Sequence, residues 1–396
     1  MHLSSLLDRF AEPETLKMAK LGRELRAKGV DVIDLSLGEP DFDTPQHIKE
    51  AAIKAINDNW SHYTPVPGFL DLREAVCTKL KRDNNLDYKP ENIVTSTGAK
   101  QSLANTILAI ADEGDEVIIP TPYWVTYSEL VKIARATVVE IRTTLESGFK
   151  IIPAELEAAI TPKTKLFLFS SPCNPSGAVY SKAELEGLAE VFRKYPEVYI
   201  IADEIYEYIN FVAKHESIAQ FSDLKDRIIL INGLSKGFAM TGWRLGYIAA
   251  NVEIAKACEK LQGQFTSATC SIAQKAGVAA LTTDLKPSLK MTEEFTRRRA
   301  RVLELVKDIP GFKTYEPEGA FYIFPDVSYY YGKSDGENKI TNSADFSMYL
   351  LNTAHVSSVM GEAFGEPNCV RFSFANSMEN IERAWERIKI ALAKLK

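Results

Sequence analysis

One segment of the chain, residues 232–247, concentrates side chains that could perform covalent chemistry. It reads NGLSKGFAMTGWRLGY, follows an apolar run, and brings Ser235, Lys236 and Arg244 into one turn-rich connection. A lysine beside small residues at a strand end is a candidate for forming a Schiff base with a carbonyl group. Considered alone, Lys236 could equally be a solvated surface lysine. The segment also fits G-x-S-x-G, the nucleophile elbow of hydrolases, although His355 is the only histidine that follows it.

A carboxylate, Asp203, directly follows another apolar run at residues 199–202. In parallel α/β sheets, ligands bind outside the carboxyl ends of the strands, so this carboxylate should face a ligand crevice. Tyr206 lies three residues later, about one helical turn away. A second interpretation, in which Asp203 only caps the segment that follows it, remains open on this evidence.

Two loops could hold polar groups of a ligand. The loop at residues 170–177, SSPCNPSG, contains two prolines and a glycine, and this rigid framework would present Asn174 in a fixed orientation. The loop at residues 96–100, STGAK, stands where a predicted strand meets a predicted helix, and free backbone amides there could bind a phosphate group. Each loop taken alone is a common type of turn.

These segments stand at the ends of predicted strands that alternate with predicted helices. Apolar runs separated by stretches of helical spacing predict an α/β fold with a largely parallel sheet that is buried on both faces. The predicted strands are 93–96, 116–120, 138–141, 166–169, 199–202, 228–232 and 246–250. The predicted helices before residue 200 are 14–28, 45–59, 70–80, 100–111, 125–134, 153–160 and 182–193.

From about residue 286 the pattern changes to that of a smaller α+β unit. Helices predicted at 292–307 and 378–394 enclose four short strand candidates, 312–315, 321–324, 356–359 and 370–374. The polar stretch 329–343 is predicted to be a mobile surface insertion. We therefore predict a large domain over residues 46–285 and a small, discontinuous domain over residues 1–45 and 286–396.

The composition excludes several classes of protein. The 396 residues are 45% hydrophobic and 25% charged, and their net charge of −6 contains no basic block, so we expect a folded globular protein without a nucleic-acid partner. The apolar runs are strand-sized, far below the roughly 20 residues of a membrane span, so no membrane association is expected. The five cysteines are scattered, with Cys173 nearest to the candidate chemistry, and indicate reduced thiols in a cytoplasmic protein without a metal site.

In order and spacing, these segments resemble the class I aminotransferases, pyridoxal-phosphate enzymes with the aspartate aminotransferase fold. The resemblance covers nearly the whole chain and includes SLGEPDFDTP at 36–45, YTPVPGFLDLREAV at 63–76, GDEVIIPTPYW at 114–124 and CVRFSFA at 369–375. It implies a large domain with a mostly parallel seven-stranded sheet, a smaller α+β domain, pyridoxal 5′-phosphate as cofactor, and a homodimer with shared active sites.

The resemblance also implies a role for each matching residue. Lys236 would hold the cofactor covalently and move the substrate proton, and Asp203 would face the pyridine nitrogen. The residues implied to contact the rest of the cofactor are Gly98, Ala99, Trp124, Asn174, Tyr206, Ser235, Arg244 and, from the neighbouring subunit, Tyr63. Those implied to bind the substrate are Gly38, Trp124, Asn174 and Arg371, the last by a bidentate contact to the α-carboxylate.

Two residues bear on the side chain of the substrate. Lys100 could reach a distal carboxylate, and Thr15 lies in the N-terminal segment that closes over the site in this family. The pair resembles the subgroup that acts on aspartate and glutamate and sometimes on prephenate, although Lys100 could be a solvated lysine and Thr15 an ordinary helix-terminal residue. The implied reaction transfers the amino group of aspartate to 2-oxoglutarate by a ping-pong mechanism.

Other functions remain open on the sequence. A prephenate or aromatic aminotransferase, or a pyridoxal-phosphate lyase, would use the same Lys236 and Asp203. A hydrolase would use Ser235 as its nucleophile. A non-catalytic relative would not need Lys236, Asp203 and Arg371 together, and all three are present.

Overall fold

A computed structural model of the chain describes residues 3–212 and 214–396. The helices within these residues are α1 (Glu14–Ala27), α2 (Gln46–Asn57), α3 (Leu70–Asn84), α4 (Ala99–Ile110), α5 (Thr126–Ile133), α6 (Pro153–Ala159), α7 (Lys182–Lys194), α8 (Val252–Phe265), α9 (Ser271–Thr282), α10 (Lys286–Lys307), α11 (Ser343–Tyr349) and α12 (Met378–Leu392). The strands are β1 (Ile33–Asp34), β2 (Ile93–Ser96), β3 (Glu116–Pro120), β4 (Thr137–Ile141), β5 (Thr164–Ser170), β6 (Tyr199–Asp203), β7 (Ile228–Gly233), β8 (Gly246–Ala249), β9 (Tyr322–Ile323), β10 (Val356–Ser357), β11 (Val359–Met360) and β12 (Val370–Ser373).

A seven-stranded sheet in the order β2-β8-β7-β6-β5-β3-β4 forms the centre of the larger part of the molecule. All seven strands predicted for it are confirmed, and the sheet is mostly parallel, with β8 antiparallel to both of its neighbours. Apolar residues of α2, α3, α6, α7 and α9 pack on one face, and those of α4, α5 and α8 pack on the other. Because both faces are covered, the inner strands are continuously apolar, as the sequence pattern predicts.

The smaller part is built around a three-stranded antiparallel sheet in the order β11-β12-β9, with a parallel pair β1-β10 beside it. Its core joins apolar residues of α10, α11 and α12 to these strands. The strand predicted at 321–324 is reduced to β9. The strand predicted at 356–359 is divided, because β10 pairs with β1 whereas β11 pairs with β12. The boundaries of the two predicted domains stay a prediction.

One strand predicted for the smaller part is wrong. Residues 312–315 form no strand, because a turn at Gly311 (φ +82°) precedes them and Lys313 makes the single bridge pair with Asp326. The polar stretch 329–343 lies mostly at the surface, as predicted, but it is held to the core at two positions. Tyr330 and Ile340 within it are 3% and 1% exposed, so their burial anchors the loop to the core.

A segment that we call the strap, residues 34–44, joins the two parts across the carboxyl ends of β5, β6 and β7. Its Ser36 carbonyl accepts a hydrogen bond from Arg371 Nη2 at 2.6 Å. At its other end, Thr44 Oγ1 donates to the Ala239 carbonyl at 2.7 Å and accepts from Trp243 Nε1 at 3.0 Å. The strap therefore closes one side of the space between the sheets. In residues 3–212 and 214–396, no helix combines the length and the apolar character that a bilayer crossing requires.

Candidate active site

A cavity of about 330 Å³ lies between the strap and the carboxyl ends of β5, β6 and β7. The structure brings most of the sequence-predicted site residues to its wall. These are Thr15, Gly38, Ala99, Lys100, Trp124, Asn174, Asp203, Tyr206, Ser235, Lys236, Arg244 and Arg371. Gly98 adjoins the cavity through its contact with Arg244. Tyr63 is not among the lining residues and is 99% exposed on the surface.

Lys236 is placed by the turn that follows β7, and its Nζ donates a hydrogen bond to the Gly38 carbonyl of the strap. Burial lowers the pKa of Lys236 to about 8, with Arg371 and Arg244 acting in the same direction and Glu39 against them. A lysine with this pKa is partly neutral near pH 7–8. Its amine can therefore act as a nucleophile or as a base.

Asp203 is the last residue of β6, and its carboxylate has two hydrogen-bond donors. The Tyr127 hydroxyl of α5 donates to Oδ2 at 2.7 Å, and the Ile205 amide donates to Oδ1 at 3.2 Å. Burial raises the pKa of Asp203 to about 6, against the hydrogen bonds and the charge of Lys236. A cationic group placed against this carboxylate would offset the cost of its burial.

A cluster of hydrogen-bond donors surrounds the first turn of α4. Gly98 precedes that helix with φ +82°, and a Cβ there would lie 2.4 Å from Arg244 Nη2, so only glycine lets the guanidinium approach so closely. Arg244 is itself in the left-handed region at φ 56°. Ser235 also lines this part of the cavity. Backbone amides, a hydroxyl and a guanidinium at a helix N-terminus form a site suited to a phosphate group.

Arg371 on β12 is the most deeply buried cation at the cavity, with 2% of its surface exposed. Its Nη1 donates to Asn174 Oδ1 at 2.9 Å and its Nη2 to the Ser36 carbonyl at 2.6 Å. Burial lowers its pKa. Across residues 3–212 and 214–396, no carboxylate lies within ion-pair distance of its guanidinium, and its Nε has no hydrogen-bond partner. A buried cation without a counter-charge favours an anionic ligand.

Asn174 and Tyr206 are oriented by residues of the smaller part. Because Asn174 Oδ1 accepts from Arg371, the amide Nδ2 of Asn174 is the group left to donate. The Tyr206 hydroxyl lies 2.6 Å from the hydroxyl of Tyr322, a residue of β9 that also lines the cavity. Asn174, through Nδ2, and Tyr206, through its hydroxyl, can each donate a hydrogen bond to an acceptor in the cavity.

At the mouth of the cavity, Lys100 Nζ lies 4.8 Å from the centre of the Trp124 ring. Burial lowers the pKa of Lys100, and the charge of Arg244 adds to that effect. Thr15 of α1 lines the same region, with the apolar side chains of Leu16 and Leu37 beside it. The mouth thus combines one cation with an apolar wall.

The arrangement does not support a hydrolase at Ser235. Among the described residues, no histidine lines the cavity, so Ser235 lacks the base that a serine nucleophile needs. His355, the histidine that follows Ser235 in the sequence, has its Nδ1 3.4 Å from the Leu351 carbonyl, and it does not line the cavity.

Tyr127 and Tyr322 are two site residues that sequence reasoning missed. Tyr127 stands three residues after Trp124 at the start of a helix, and this spacing places both side chains on one side. The spacing from Trp124 is therefore a signal in the sequence that Tyr127 belongs to the site. Tyr322 lies in an apolar strand, where a tyrosine resembles an ordinary core residue, so the sequence carries no signal for it.

Comparisons with known proteins agree with this geometry. The model of a family described as aminotransferase class I and II matches residues 30–388. A bifunctional aspartate aminotransferase and glutamate/aspartate-prephenate aminotransferase of Petunia hybrida is 44% identical over 100% of this chain and 83% of its own. An aspartate/prephenate aminotransferase of Cereibacter sphaeroides is 44% identical over 99% of both chains.

Solved structures show the same likeness. The aspartate aminotransferase of Rhizobium meliloti superposes with a TM-score of 0.96 at 41% identity, over 100% of both chains. That of Thermus thermophilus with maleate gives a TM-score of 0.93 at 38% identity, over 99% of this chain and 100% of its own.

Proposed function

Because the chain belongs to the class I and II aminotransferases, we propose that it is a pyridoxal 5′-phosphate-dependent enzyme that transfers the amino group of aspartate to 2-oxoglutarate. One observation is the main support for this proposal. Arg371 is a buried guanidinium without a carboxylate partner among the described residues, and it faces a cavity that also holds a lysine whose pKa is lowered to about 8. This pair suits a substrate with a carboxylate beside a reacting nitrogen.

The residues around the cavity fit the cofactor. The amides at the start of α4, together with Ser235 and Arg244, would hold its phosphate, and Asp203 would face its ring nitrogen. Tyr206 and the free amide of Asn174 would donate to its ring oxygen, and Trp124 would cover its ring. When bound, the cofactor supplies a ring that accepts electron density from the substrate carbon.

Asp203 would hold a proton on the ring nitrogen. Its carboxylate is buried, and the two donors from Tyr127 and Ile205 fix its orientation. A protonated nitrogen at this carboxylate forms a charge-assisted hydrogen bond, which favours the cationic form of the ring.

Lys236 would carry the substrate proton. Once its Nζ is free and neutral, it can accept the proton from the substrate Cα and return it at a neighbouring atom. Its lowered pKa of about 8 keeps the amine available near neutral pH, since an ordinary lysine would stay protonated there. The Gly38 carbonyl of the strap accepts a hydrogen bond from this nitrogen, so the strap covers one side of it and would limit its contact with water.

Arg371 would bind the α-carboxylate of the substrate. Its guanidinium is held by Asn174 and Ser36, so its donors are oriented before the substrate arrives. The same anchors serve an amino acid and a 2-oxo acid, because both carry an α-carboxylate. One site can therefore take the two substrates in turn, which is the basis of the proposed ping-pong mechanism.

Lys100 and Thr15 would select the acidic side chain. Lys100 Nζ stays at the cavity mouth through its contact with the Trp124 ring, where it can pair with a distal carboxylate. We expect Lys100→Ser to raise the KM for aspartate about tenfold, the cost of one charge-assisted contact. The KM for a neutral amino acid should change less than twofold. Equal changes for both substrates would remove Lys100 from the specificity argument.

Prephenate is a second candidate substrate. The names of the petunia and Cereibacter proteins include prephenate aminotransferase. In this chain, Leu16 and Leu37 give the cavity mouth an apolar wall beside Trp124, which suits a cyclic side chain. Arg371 would bind the α-carboxylate of this substrate in both its amino-acid form and its 2-oxo-acid form.

We also propose a homodimer that completes each site with Tyr63 of a second copy. Tyr63 is 99% exposed, and Ile53, Ile56 and Leu70 near it in the sequence are each more than half exposed. Exposed apolar side chains of this kind favour association between copies. Tyr63 would then approach the phosphate end of the neighbouring cavity.

The visible spectrum of the purified, cofactor-loaded protein tests the proposed function. We expect aspartate to remove the yellow absorption band and 2-oxoglutarate to restore it, because each half of the reaction interconverts the two cofactor forms. Pyruvate and ammonia released from an amino acid without any oxo acid would indicate a lyase. A protein that never takes up the cofactor would contradict the proposal.

A further inference from the structure

Tyr322 lies where three parts of the cavity meet. It is 0% exposed and stands on β9, directly paired in register with Ser373 of the strand that carries Arg371. Its hydroxyl is 2.6 Å from that of Tyr206, which follows β6 in the larger part of the molecule. Its side chain thus connects the residue proposed to bind the substrate with a residue proposed to bind the cofactor.

The position of the Tyr322 hydroxyl depends on a glycine in the strap. A Cβ at Gly38 would lie 2.4 Å from the Tyr322 hydroxyl oxygen, closer than such atoms can approach. Gly38 has no unusual backbone angle that would require glycine, so the contact with Tyr322 is what requires it. The strap therefore leaves room for a phenol at this place.

The ring of Tyr322 lies under the guanidinium of Arg371, whose Cζ is 4.5 Å from the ring centre. A cation over the face of a phenol stabilises electron density on the ring, and a phenol gains such density when it donates its proton. Arg371 therefore favours Tyr322 as the donor and Tyr206 as the acceptor of the bond between the two hydroxyls. The charge of Arg371 acts to lower the pKa of both tyrosines. At Tyr322, whose ring it contacts, this charge is the largest influence after burial, whereas at Tyr206 the neighbouring hydroxyl of Tyr322 has the larger influence.

The direction of this bond decides what Tyr206 can do. Tyr206 has one proton. If Tyr322 donates to Tyr206, that proton is free to point into the cavity. If Tyr206 donates to Tyr322, only lone pairs face the cavity.

We propose that Tyr322 is a positioning residue for the reaction. Its hydroxyl donates to Tyr206, so that Tyr206 can donate to the ring oxygen of the cofactor. Because Tyr322 also contacts Arg371, its donation to Tyr206 depends on whether a substrate carboxylate is bound to Arg371. The proposal rests on the proposed function. A carboxylate that neutralises Arg371 weakens the preference for Tyr322 as donor. Tyr206 then stabilises the anionic ring oxygen less well, and the pKa of the nitrogen joining Lys236 to the cofactor rises.

The test is the pH titration of the visible absorption of the cofactor-loaded protein, with and without maleate as a non-reacting dicarboxylate. In Tyr322→Phe, which keeps the ring, Tyr206 no longer accepts the hydrogen bond that polarises its hydroxyl and becomes a weaker donor to the ring oxygen. We therefore expect the spectral pKa without maleate to rise by about one unit, equal to a tenfold change in the equilibrium. The additional rise caused by maleate should shrink by at least half. In a Tyr206→Phe background, Tyr322→Phe should have no further effect, because the two hydroxyls act as a pair.

Tyr349→Phe is the matched control. Tyr349 is also a buried tyrosine of the smaller part, and its hydroxyl donates to the Ala391 carbonyl at 2.9 Å, away from the cavity. The spectral pKa of the cofactor-loaded Tyr349→Phe protein should equal that of the wild type. A Tyr322→Phe protein with the wild-type titration, or an effect that adds to that of Tyr206→Phe, would overturn the proposal. If the wild-type protein shows no visible band at all, the proposed function fails instead.

Discussion

Asp203 and Glu204 are neighbours at the end of β6, but they lie in two regions with different electrostatics. Asp203 faces the cavity, whereas Glu204 belongs to a buried group that we call the compensated cluster, formed by Lys79, Glu204, Glu207 and His215. In this cluster Lys79 pairs with Glu207, and His215 Nε2 lies 2.9 Å from Glu204 Oε2. Burial alone would lower the pKa of His215, but the carboxylates of Glu204 and Glu207 together raise it above the ordinary value.

The compensated cluster balances its own charge. One ligand atom from each of Glu204, Glu207 and His215 lies within 4.8 Å of the others, which could suit a metal ion, yet the ammonium of Lys79 already neutralises Glu207. Asn84 adds hydrogen bonds to Lys79 at 2.8 Å and to Glu207 at 3.1 Å. Such a cluster holds α3 to the segment after β6.

The cavity region does not balance its charge. The cations Lys100, Lys236, Arg244 and Arg371 line it and outnumber the lining carboxylates, Glu39 and Asp203. In residues 3–212 and 214–396, none of these four cations has a carboxylate within ion-pair distance. Since burying the charge of Arg371 without a counter-charge is costly, an anionic ligand would stabilise this region. Charge balance therefore separates the region built for structure from the region built for binding.

The largest expected effect is that of Lys236→Ala. Activity should fall by about 10⁴-fold or more, since both the covalent link and the proton carrier are lost. The free energy of unfolding of the cofactor-free protein should not fall, because the removed charge has no partner. Steady-state kinetics and urea unfolding measure the two effects. A clear loss of stability would show that the Lys236 charge is stabilised within the fold, as the charges of the compensated cluster are.

Arg371→Leu should lower kcat/KM for aspartate at least about a hundredfold, the cost of losing two charge-assisted hydrogen bonds to the substrate. Its ligand-free stability should fall less than that of Arg298→Leu, because the two hydrogen bonds to Asn174 and Ser36 are lost but no counter-charge is left unpaired. Arg298 is the matched control, because it is also buried but pairs with Asp41 at 2.6 Å and Glu294 at 2.9 Å. Arg298→Leu should destabilise the fold by about 2 kcal/mol. Similar losses of stability in Arg371→Leu and Arg298→Leu would contradict the distinction between cations that await a ligand and cations that are paired within the fold.

Glu207→Gln tests the compensated cluster. It leaves the buried Lys79 without a counter-charge, and we expect the free energy of unfolding to drop by about 3 kcal/mol. The KM for aspartate should stay within about twofold of the wild-type value, because Glu207 does not line the cavity. As a control, Glu190→Gln on the surface should cost less than about 1 kcal/mol. A large KM change with unchanged stability would assign Glu207 to the binding region instead.

The smallest expected effect is that of Tyr127→Phe. Asp203 loses one of its two donors, so its pKa should rise further and kcat should fall about tenfold. Tyr180 offers a control, since it is also a buried tyrosine but its hydroxyl accepts from the Ile151 amide at 3.0 Å. Tyr180→Phe should leave kcat unchanged. Equal effects in the two variants would show that Tyr127 acts on packing alone.

The sequence predicts the large sheet well because its information is local. Strands β5 and β7 contain uninterrupted apolar runs, at residues 166–169 and 228–231, and the helices between the strands show clear periodicity. Lys236, Asp203 and Asn174 could be identified because each follows such a strand, where ligands bind in α/β sheets. The identity of the fold and of the cofactor came from the resemblance of whole motifs rather than from periodicity.

The features that the sequence did not reveal depend on contacts between distant residues. Tyr322 and Arg371 are 49 positions apart in the chain but meet through the pairing of β9 and β12. The loop around Tyr330 and Ile340 has a polar composition, and only its packing shows that two of its side chains are buried. Likewise, residues 312–315 contain apolar side chains typical of a strand but lack a neighbouring strand to pair with.

The attachment site of the cofactor tests the central claim most directly. The protein is incubated with pyridoxal 5′-phosphate, reduced with borohydride at several pH values, and mapped by peptide mass spectrometry. We expect one label per chain, on Lys236, rising as the pH crosses about 8, because its lowered pKa leaves the amine neutral above that pH. Lys79 should remain unlabelled. A label on Lys79 or Lys100, or no specific label, would contradict the account.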